Sequence, residues 1–135
     1  MLEVEVLGAQ PGPDEPAPAE VRALCRQAAA AAGIHDGHVA IEFVDEQRIV
    51  DLNGAHRGRP VPTDVLSFPI DGVERPGGAE VVTRELGDVV ICEAHTRDIR
   101  EAIVHGMLHL LGMDHEIDDG EMLALQRRLL QQAAR

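Results

Sequence analysis

The chain has 135 residues, enough for one domain with one hydrophobic core, and its 44% hydrophobic and 27% charged residues are ordinary for a soluble globular protein. No stretch approaches the roughly 20 apolar residues of a membrane span, and the acidic, alternating N-terminus does not resemble a secretory signal, so we expect a cytoplasmic protein. The net charge of −12 disfavours nonspecific nucleic-acid binding, and because all twelve basic residues are arginine, any RNA contact must come from a few local arginines.

The hydrophobic pattern predicts four strands and four helices. Alternating runs indicate half-buried strands, and alanine-rich or amphipathic runs indicate helices. We predict a first strand at 2–6, then a connector at 9–20 that leads into a helix at 19–32, and then a strand at 38–44. A helix from Asp45 through Leu52, closed by Asn53–Gly54, is followed by a strand from Asp64 to Pro69 and a loop tip at 75–78. A strand at 87–92, a helix at 96–111 and a helix from Asp118 follow. This order predicts a single α+β domain over residues 1–135, with helices packed on one mixed sheet of about four strands.

Cysteine and aromatic residues are scarce. Cys25 and Cys92 lie far apart and outside any CxxC motif, so we expect two small buried residues, not a zinc ribbon or a redox pair. Phe43 and Phe68 are the only residues among Phe, Tyr and Trp. The usual base-stacking platforms of RNA-binding modules are therefore not expected.

The segment from 105 to 115 reads HGMLHLLGMDH. Helical residues four apart share a face, so His105 and His109 project together, and Gly112 permits the left-handed turn that can return His115 to them. A histidine pair with this spacing also arises by chance, but a third histidine after a glycine favours a metal site. Three imidazoles leave one position of a tetrahedral ion open, and imidazole suits zinc. The sequence predicts one zinc ion per chain, on a helix and the turn after it.

The same spacing occurs in the metzincin peptidase pattern H-E-x-x-H-x-x-G-x-x-H. Gly106, however, stands where those peptidases carry the glutamate that serves as general base. This difference weakens a peptidase or amidase as the alternative function.

The pattern H-G-x-L-H-L-x-G-x-D-H resembles that of the YbeY endoribonucleases. Two further motifs resemble theirs as well, and together the three cover most of the chain, from about residue 41 to 122. The further matching residues are Leu52, Asn53, Arg57, the PTDVLSFP run at 62–69, and Gly87–Asp88 at the entry to a strand. His56 and Met113 stand where the family more often has tyrosine.

The resemblance implies a single-strand-specific endoribonuclease that matures ribosomal RNA, notably the 3′ end of the small-subunit RNA, and that takes part in ribosome quality control. It places zinc on His105, His109 and His115 and implicates Arg57. The expected partners are single-stranded RNA, ribosomal RNA, and the small ribosomal subunit or its assembly factors, with no membrane.

Arg57 is expected in a polar loop, where a guanidinium aimed at the scissile phosphate would stabilise the charge that grows in the transition state. Arg59 is expected to be solvated. Asp114 either orients a neighbouring histidine or caps the turn. Residues expected to line the cleft or to satisfy backbone groups are Thr63, Asp64 and Ser67, and the histidines expected at surfaces or in loops are His35, His38, His56 and His95.

Two roles stay open for the ion, which could act as a Lewis acid on a phosphate oxygen or supply a hydroxide. The sequence does not identify a general base. A non-catalytic, zinc-stabilised ribosome assembly factor is therefore a further alternative, which the acidic surface and the few aromatic residues also allow.

Overall fold

The computed structural model describes residues 1–8, 16–71 and 84–133. The first part of the predicted connector and the loop tip at 75–78 lie outside these ranges. The elements, in chain order, are β1 (Glu3–Gly8), α1 (Pro18–Ala31), β2 (His38–Val44), α2 (Glu46–Arg57), β3 (Val65–Pro69), β4 (Glu85–Cys92), a 3₁₀ turn (Glu93–His95), α3 (Ile99–Leu110) and α4 (Glu121–Ala133).

Within the described ranges the four strands form one sheet in the order β1-β2-β4-β3. Strands β1, β2 and β4 run parallel, and β3 pairs with β4 in the antiparallel direction. Strand β4 has apolar residues on both faces, as a central strand covered by helices requires. The predicted α+β fold with a mixed four-stranded sheet is confirmed.

The two faces of the sheet carry hydrophobic clusters of unequal size. Helices α1 and α3 pack against one face of the sheet, where Ile41 of β2 and Ile103 of α3 are fully buried, and α4 packs on these two helices. Helix α2 covers part of the other face through Ile49, which packs in a smaller cluster with Val90 and Cys92. Both cysteines are buried and free, as predicted, and burial raises the pKa of Cys25 to about 12. None of the helices in the described ranges has the length and hydropathy of a membrane span.

Helix α2 is longer than predicted. The expected stop at Asn53–Gly54 is wrong, because the helix continues to Arg57 and ends at Gly58, whose φ of 70° is left-handed. Asn53 is buried, and its Nδ2 donates to the carbonyl of Val61, 2.9 Å away, so its polar side chain holds the following loop. Arg57 is therefore the last residue of a helix and does not lie in a loop.

Helices α3 and α4 begin later than predicted, because an aspartate caps each start. The helix expected from residue 96 begins at Ile99, and Asp98 accepts a hydrogen bond from the backbone of Glu101. The helix expected from Asp118 begins at Glu121, and the Asp118 carboxylate accepts from the backbone nitrogens of Gly120 and Met122.

Candidate metal centre

Three histidines meet at one end of α3. The ring centroid of His105 lies 4.7 Å from that of His109 and 5.2 Å from that of His115, and the last two rings are 5.3 Å apart. Each ring offers one nitrogen such that the three nitrogens lie within 4.8 Å of one another, close enough for the group to hold a metal ion. In the described part of the chain this is the only such group of histidine, cysteine or acidic side chains.

The turn after α3 brings the third histidine to the other two. Gly112 has a φ of 96°, and its backbone nitrogen donates to the carbonyl of His109 over 3.0 Å. The nitrogen of Met113 donates to the carbonyl of Leu108 over the same distance, which closes the helix end. The left-handed glycine that the sequence predicted is therefore present, and it returns the chain towards the helix face.

The electrostatics of His109 fit a metal ligand. Burial lowers the pKa of His109, and the neighbouring His105 and His115 lower it further, so this ring is held in the neutral form that a metal ligand needs. Nδ1 of His115 is inaccessible to solvent and has no hydrogen-bond partner among the described residues. A ring nitrogen closed off in this way is costly in a protein interior, and an all-nitrogen donor set is one that zinc accepts.

Helix α4 contributes a residue that the sequence analysis missed. Oε1 of Gln126 lies 2.7 Å from Nδ1 of His105, and Gln126 is 8% exposed. Because an amide oxygen only accepts hydrogen bonds, Nδ1 of His105 carries the proton, and Nε2 keeps a lone pair for an ion. The signal was present: Gln126 interrupts the apolar face of α4 between Met122 and Leu129, where a polar side chain needs a buried partner.

Gly106 faces the sheet at close range. A Cβ at this position would lie 2.5 Å from Cγ1 of Val89 and 3.0 Å from Cγ2 of Val65. The hydroxyl of Ser67 also donates to the Gly106 carbonyl over 2.7 Å and ties β3 to α3. A larger residue here, such as the glutamate of the peptidases, would therefore require Val89 or the helix to shift.

The histidines stand in a cleft of about 400 Å³ between α2, β3 and α3. Arg57 also lines this cleft, although it lies far before His105 in the sequence. The other lining residues in the described ranges are His56, Thr63, Asp64, Val65, Leu66, Ser67, Pro69, Asp114 and Glu116. An exposed guanidinium, three clustered imidazoles and several carboxylates thus share one cavity.

A family model described as Endoribonuclease YbeY matches residues 14–134, which is nearly the whole chain. The chain belongs to the YbeY endoribonuclease family. The Endoribonuclease YbeY of Rubrobacter xylanophilus is 37% identical over 134 residues, covering 95% of this chain and 93% of the relative. That of Alteromonas mediterranea is 41% identical over 120 residues, covering 80% and 72% respectively.

The fold has a solved counterpart in the solution structure of TM1509 from Thermotoga maritima. The two structures superpose with a TM-score of 0.54 at 26% identity, over 96% of this chain and 88% of the other. The similarity therefore extends over the whole architecture, beyond the histidine segment alone.

The remaining candidate residues of this YbeY-family chain divide between the cleft and other sites. Asp114 caps the turn, since its Oδ1 accepts from the backbone of Glu116 over 2.9 Å. Asp64 accepts from the backbone of Val65 at the start of β3, while also lining the cleft. Arg59 is exposed and lies outside the described lining of the cleft.

The four other histidines lie in different parts of the structure. His38 bonds Glu85 at 2.7 Å and Glu5 at 3.2 Å, across three neighbouring strands. His95 pairs with Glu46, and His35 is exposed. His56, grouped with them by sequence, lies instead in the cleft, because α2 extends one turn further than its Asn-Gly pair suggested.

Proposed function

We propose that the 135-residue chain is a single-domain, zinc-dependent endoribonuclease that holds one ion on His105, His109 and His115. The observation that carries this proposal is the three-histidine group inside a cleft that Arg57 also lines, in a member of the YbeY endoribonuclease family. When bound, zinc would act as a Lewis acid on a phosphate oxygen or supply a hydroxide. The protein's part is to orient the three rings and to present the guanidinium of Arg57 to the phosphate.

We propose single-stranded RNA as the substrate, and ribosomal RNA processing as the setting, at the 3′ end of the small-subunit RNA and in ribosome quality control. The endoribonuclease activity for which the family and its relatives are named supports RNA cleavage. A net charge of −12 supports a partner-assisted encounter, because the protein's surface repels free RNA. The small ribosomal subunit or its assembly factors, in the cytoplasm, would supply that assistance.

Arg57 is the residue we propose to act on the phosphate. It is exposed at the end of α2 and lines the cleft, so its guanidinium is accessible to a phosphate bound there. Its planar fork donates two parallel hydrogen bonds to phosphate oxygens, and these strengthen as charge grows on them. Lysine cannot reproduce that geometry.

The peptidase alternative is weakened by packing as well as by sequence, because a side chain at Gly106 would enter the space of Val89.

An assay distinguishes the endoribonuclease from both the peptidase and the non-catalytic assembly factor. Purified protein is incubated with a single-stranded oligoribonucleotide, the matching duplex and casein, each with and without chelator. We expect cleavage of the single strand alone, abolished by the chelator. Casein cleavage would support the peptidase, and metal-replete protein that binds but never cuts RNA would support the assembly factor.

Two arginine variants test the site within the same assay. Arg57→Ala is expected to lower kcat/KM by on the order of 100-fold, because one charge-stabilising donor is lost. Arg57→Lys should recover little of that loss. Arg59→Ala is the matched control, two residues away and outside the described cleft wall. Equal activity of the Arg57 and Arg59 variants, at unchanged zinc content, would return Arg57 to a solvated surface role.

A further inference from the structure

One ring contact in the described ranges lies outside the metal histidines. The imidazole of His56 packs on the ring of Phe68, with centroids 4.4 Å apart and planes inclined by 50°. The other ring contacts in the same ranges are the three among the metal histidines. In a chain with two phenylalanines and neither tyrosine nor tryptophan, the ring contacts of the described residues thus lie around a single cleft.

The two rings of this pair have different surroundings. Phe68 is half-buried and packs against the smaller hydrophobic cluster that α2 forms with the sheet. His56 is exposed and lines the cleft. Phe68 therefore fixes the orientation of the imidazole from one side, while the rest of the ring stays open to a ligand. A planar side chain held in place loses little conformational entropy when something stacks on it.

The position of His56 suggests what that ligand is. It immediately precedes Arg57, and both side chains line the cleft that contains His105 and His109. If the guanidinium of Arg57 holds a phosphate of the RNA, one of the two nucleosides that this phosphate joins would lie beside His56. Resting on the proposed function, we propose that His56, supported by Phe68, is a stacking site for one nucleobase of single-stranded RNA.

This site bears on substrate class. Bases in a duplex are stacked on each other and present no free face, whereas an unpaired base can stack on a side chain whatever its identity. A single stacking site beside the scissile phosphate would therefore favour single strands with little sequence preference. The content of phenylalanine, tyrosine and tryptophan does not indicate this stacking site, because the ring that would contact the base is a histidine.

The test compares three substitutions that separate a planar ring from a polar or ionisable group. His56→Ala removes the ring, His56→Phe keeps a plane without nitrogens, and His56→Gln keeps hydrogen bonding without a plane. His35→Ala is the matched control, an exposed histidine outside the described cleft wall. Zinc content, kcat and KM are measured for the metal-loaded proteins on a single-stranded oligoribonucleotide. A fluorescent 2-aminopurine is placed at successive positions of that strand to report stacking.

We expect His56→Ala to raise KM roughly five- to tenfold, at the lower end of the loss for one stacked base, with kcat and zinc content little changed. His56→Phe should restore KM, and His56→Gln should not. Quenching of 2-aminopurine should occur at one position and disappear in the alanine variant. Restoration by glutamine, loss of zinc from the alanine variant, or a KM equal to that of His35→Ala would each overturn the stacking site. Wild-type protein that fails to cut RNA would instead contradict the proposed function.

Discussion

Each histidine of the candidate metal centre is held in its own way. His105 is fixed by Gln126 from another helix, His109 by a backbone hydrogen bond at Met113, and His115 by the left-handed turn at Gly112. The first of these contacts is a side-chain pair and can be changed without altering the backbone. It therefore offers a direct measure of how orientation affects metal binding.

Gln126→Leu is expected to weaken zinc binding about 10- to 100-fold, the range found when a histidine ligand loses its hydrogen-bond partner. Gln126→Glu should bind zinc at least as tightly as the wild type, because a carboxylate is the stronger acceptor for Nδ1 of His105. Competition with a chromophoric chelator gives the affinities. Gln131→Leu, an exposed position on the same helix, controls for the change of residue type. If both leucine variants bind equally well, the contact does not orient the ligand.

Among the elements, α3 must lie close to the sheet for its histidines to stand at the base of the cleft. Gly106 allows that approach, since a Cβ would meet Val89 on β4 and Val65 on β3. Two effects then compete in Gly106→Ala. Helix propensity favours alanine by about 1 kcal/mol, whereas overpacking against stiff β-branched side chains typically costs about 1–3 kcal/mol.

We expect the clash to prevail, so Gly106→Ala should lower the free energy of unfolding, as measured by urea denaturation. Combining it with Val89→Ala should recover part of the loss, because the second substitution removes the methyl group 2.5 Å from the new Cβ. A more stable Gly106→Ala protein would show that helix and sheet separate easily. The close approach would then not explain the glycine.

Strand pairing also has an electrostatic component with a defined pH dependence. The pKa of His38 on β2 is raised above its usual value by its hydrogen bond to Glu85 of β4, and Glu5 of β1 adds to this effect. Asp88 lies near the same group, and burial raises the pKa of that carboxyl, with Glu85 adding to the shift.

Because the pKa of His38 is raised on folding, its contribution to stability is fully present below the unfolded-state value and is lost as the pH rises through the folded-state value. The destabilisation caused by His38→Gln should therefore be larger near pH 6 than near pH 8.5, in denaturation curves for variant and wild type. His35→Gln, at an exposed site, should show no such difference. A cost of His38→Gln that does not vary with pH would mean that the ion pairs contribute nothing.

For the whole molecule, the sequence predicted the sheet, the helices and the meeting of three histidines, because each depends on local periodicity or on spacing within one helix and its turn. It misplaced the end of α2, since the Asn-Gly pair resembles a stop signal until the burial of Asn53 is known. The contacts of Gln126 and His56 depend on which elements meet in space. His105 and Gln126, for example, are 21 residues apart along the chain, and spacing alone cannot predict that they meet.

The charge of the whole molecule predicts how it meets RNA. The net charge of −12 opposes encounter, and in the cleft Arg57 stands among Asp64, Asp114 and Glu116. Each phosphate contact to single-stranded RNA contributes about −0.7 to the slope of log affinity against log salt, so few contacts should give a slope of about −1 to −2. Binding of free RNA should be weak in a salt series and much tighter with small ribosomal subunits, through effective concentration. Tight binding of free RNA with a steep slope would reveal an extended basic surface.

The central claim is that three histidines hold the ion on which RNA cleavage depends. The most direct measurement strips the protein with chelator and then titrates zinc, following bound metal and cleavage of a single-stranded oligoribonucleotide in the same samples. We predict that the stripped protein is inactive, that activity rises in proportion to bound zinc and saturates at one ion per chain, and that His109→Ala neither binds zinc nor cuts. Full cleavage by the stripped protein, or equal activity in His109→Ala, would contradict the claim.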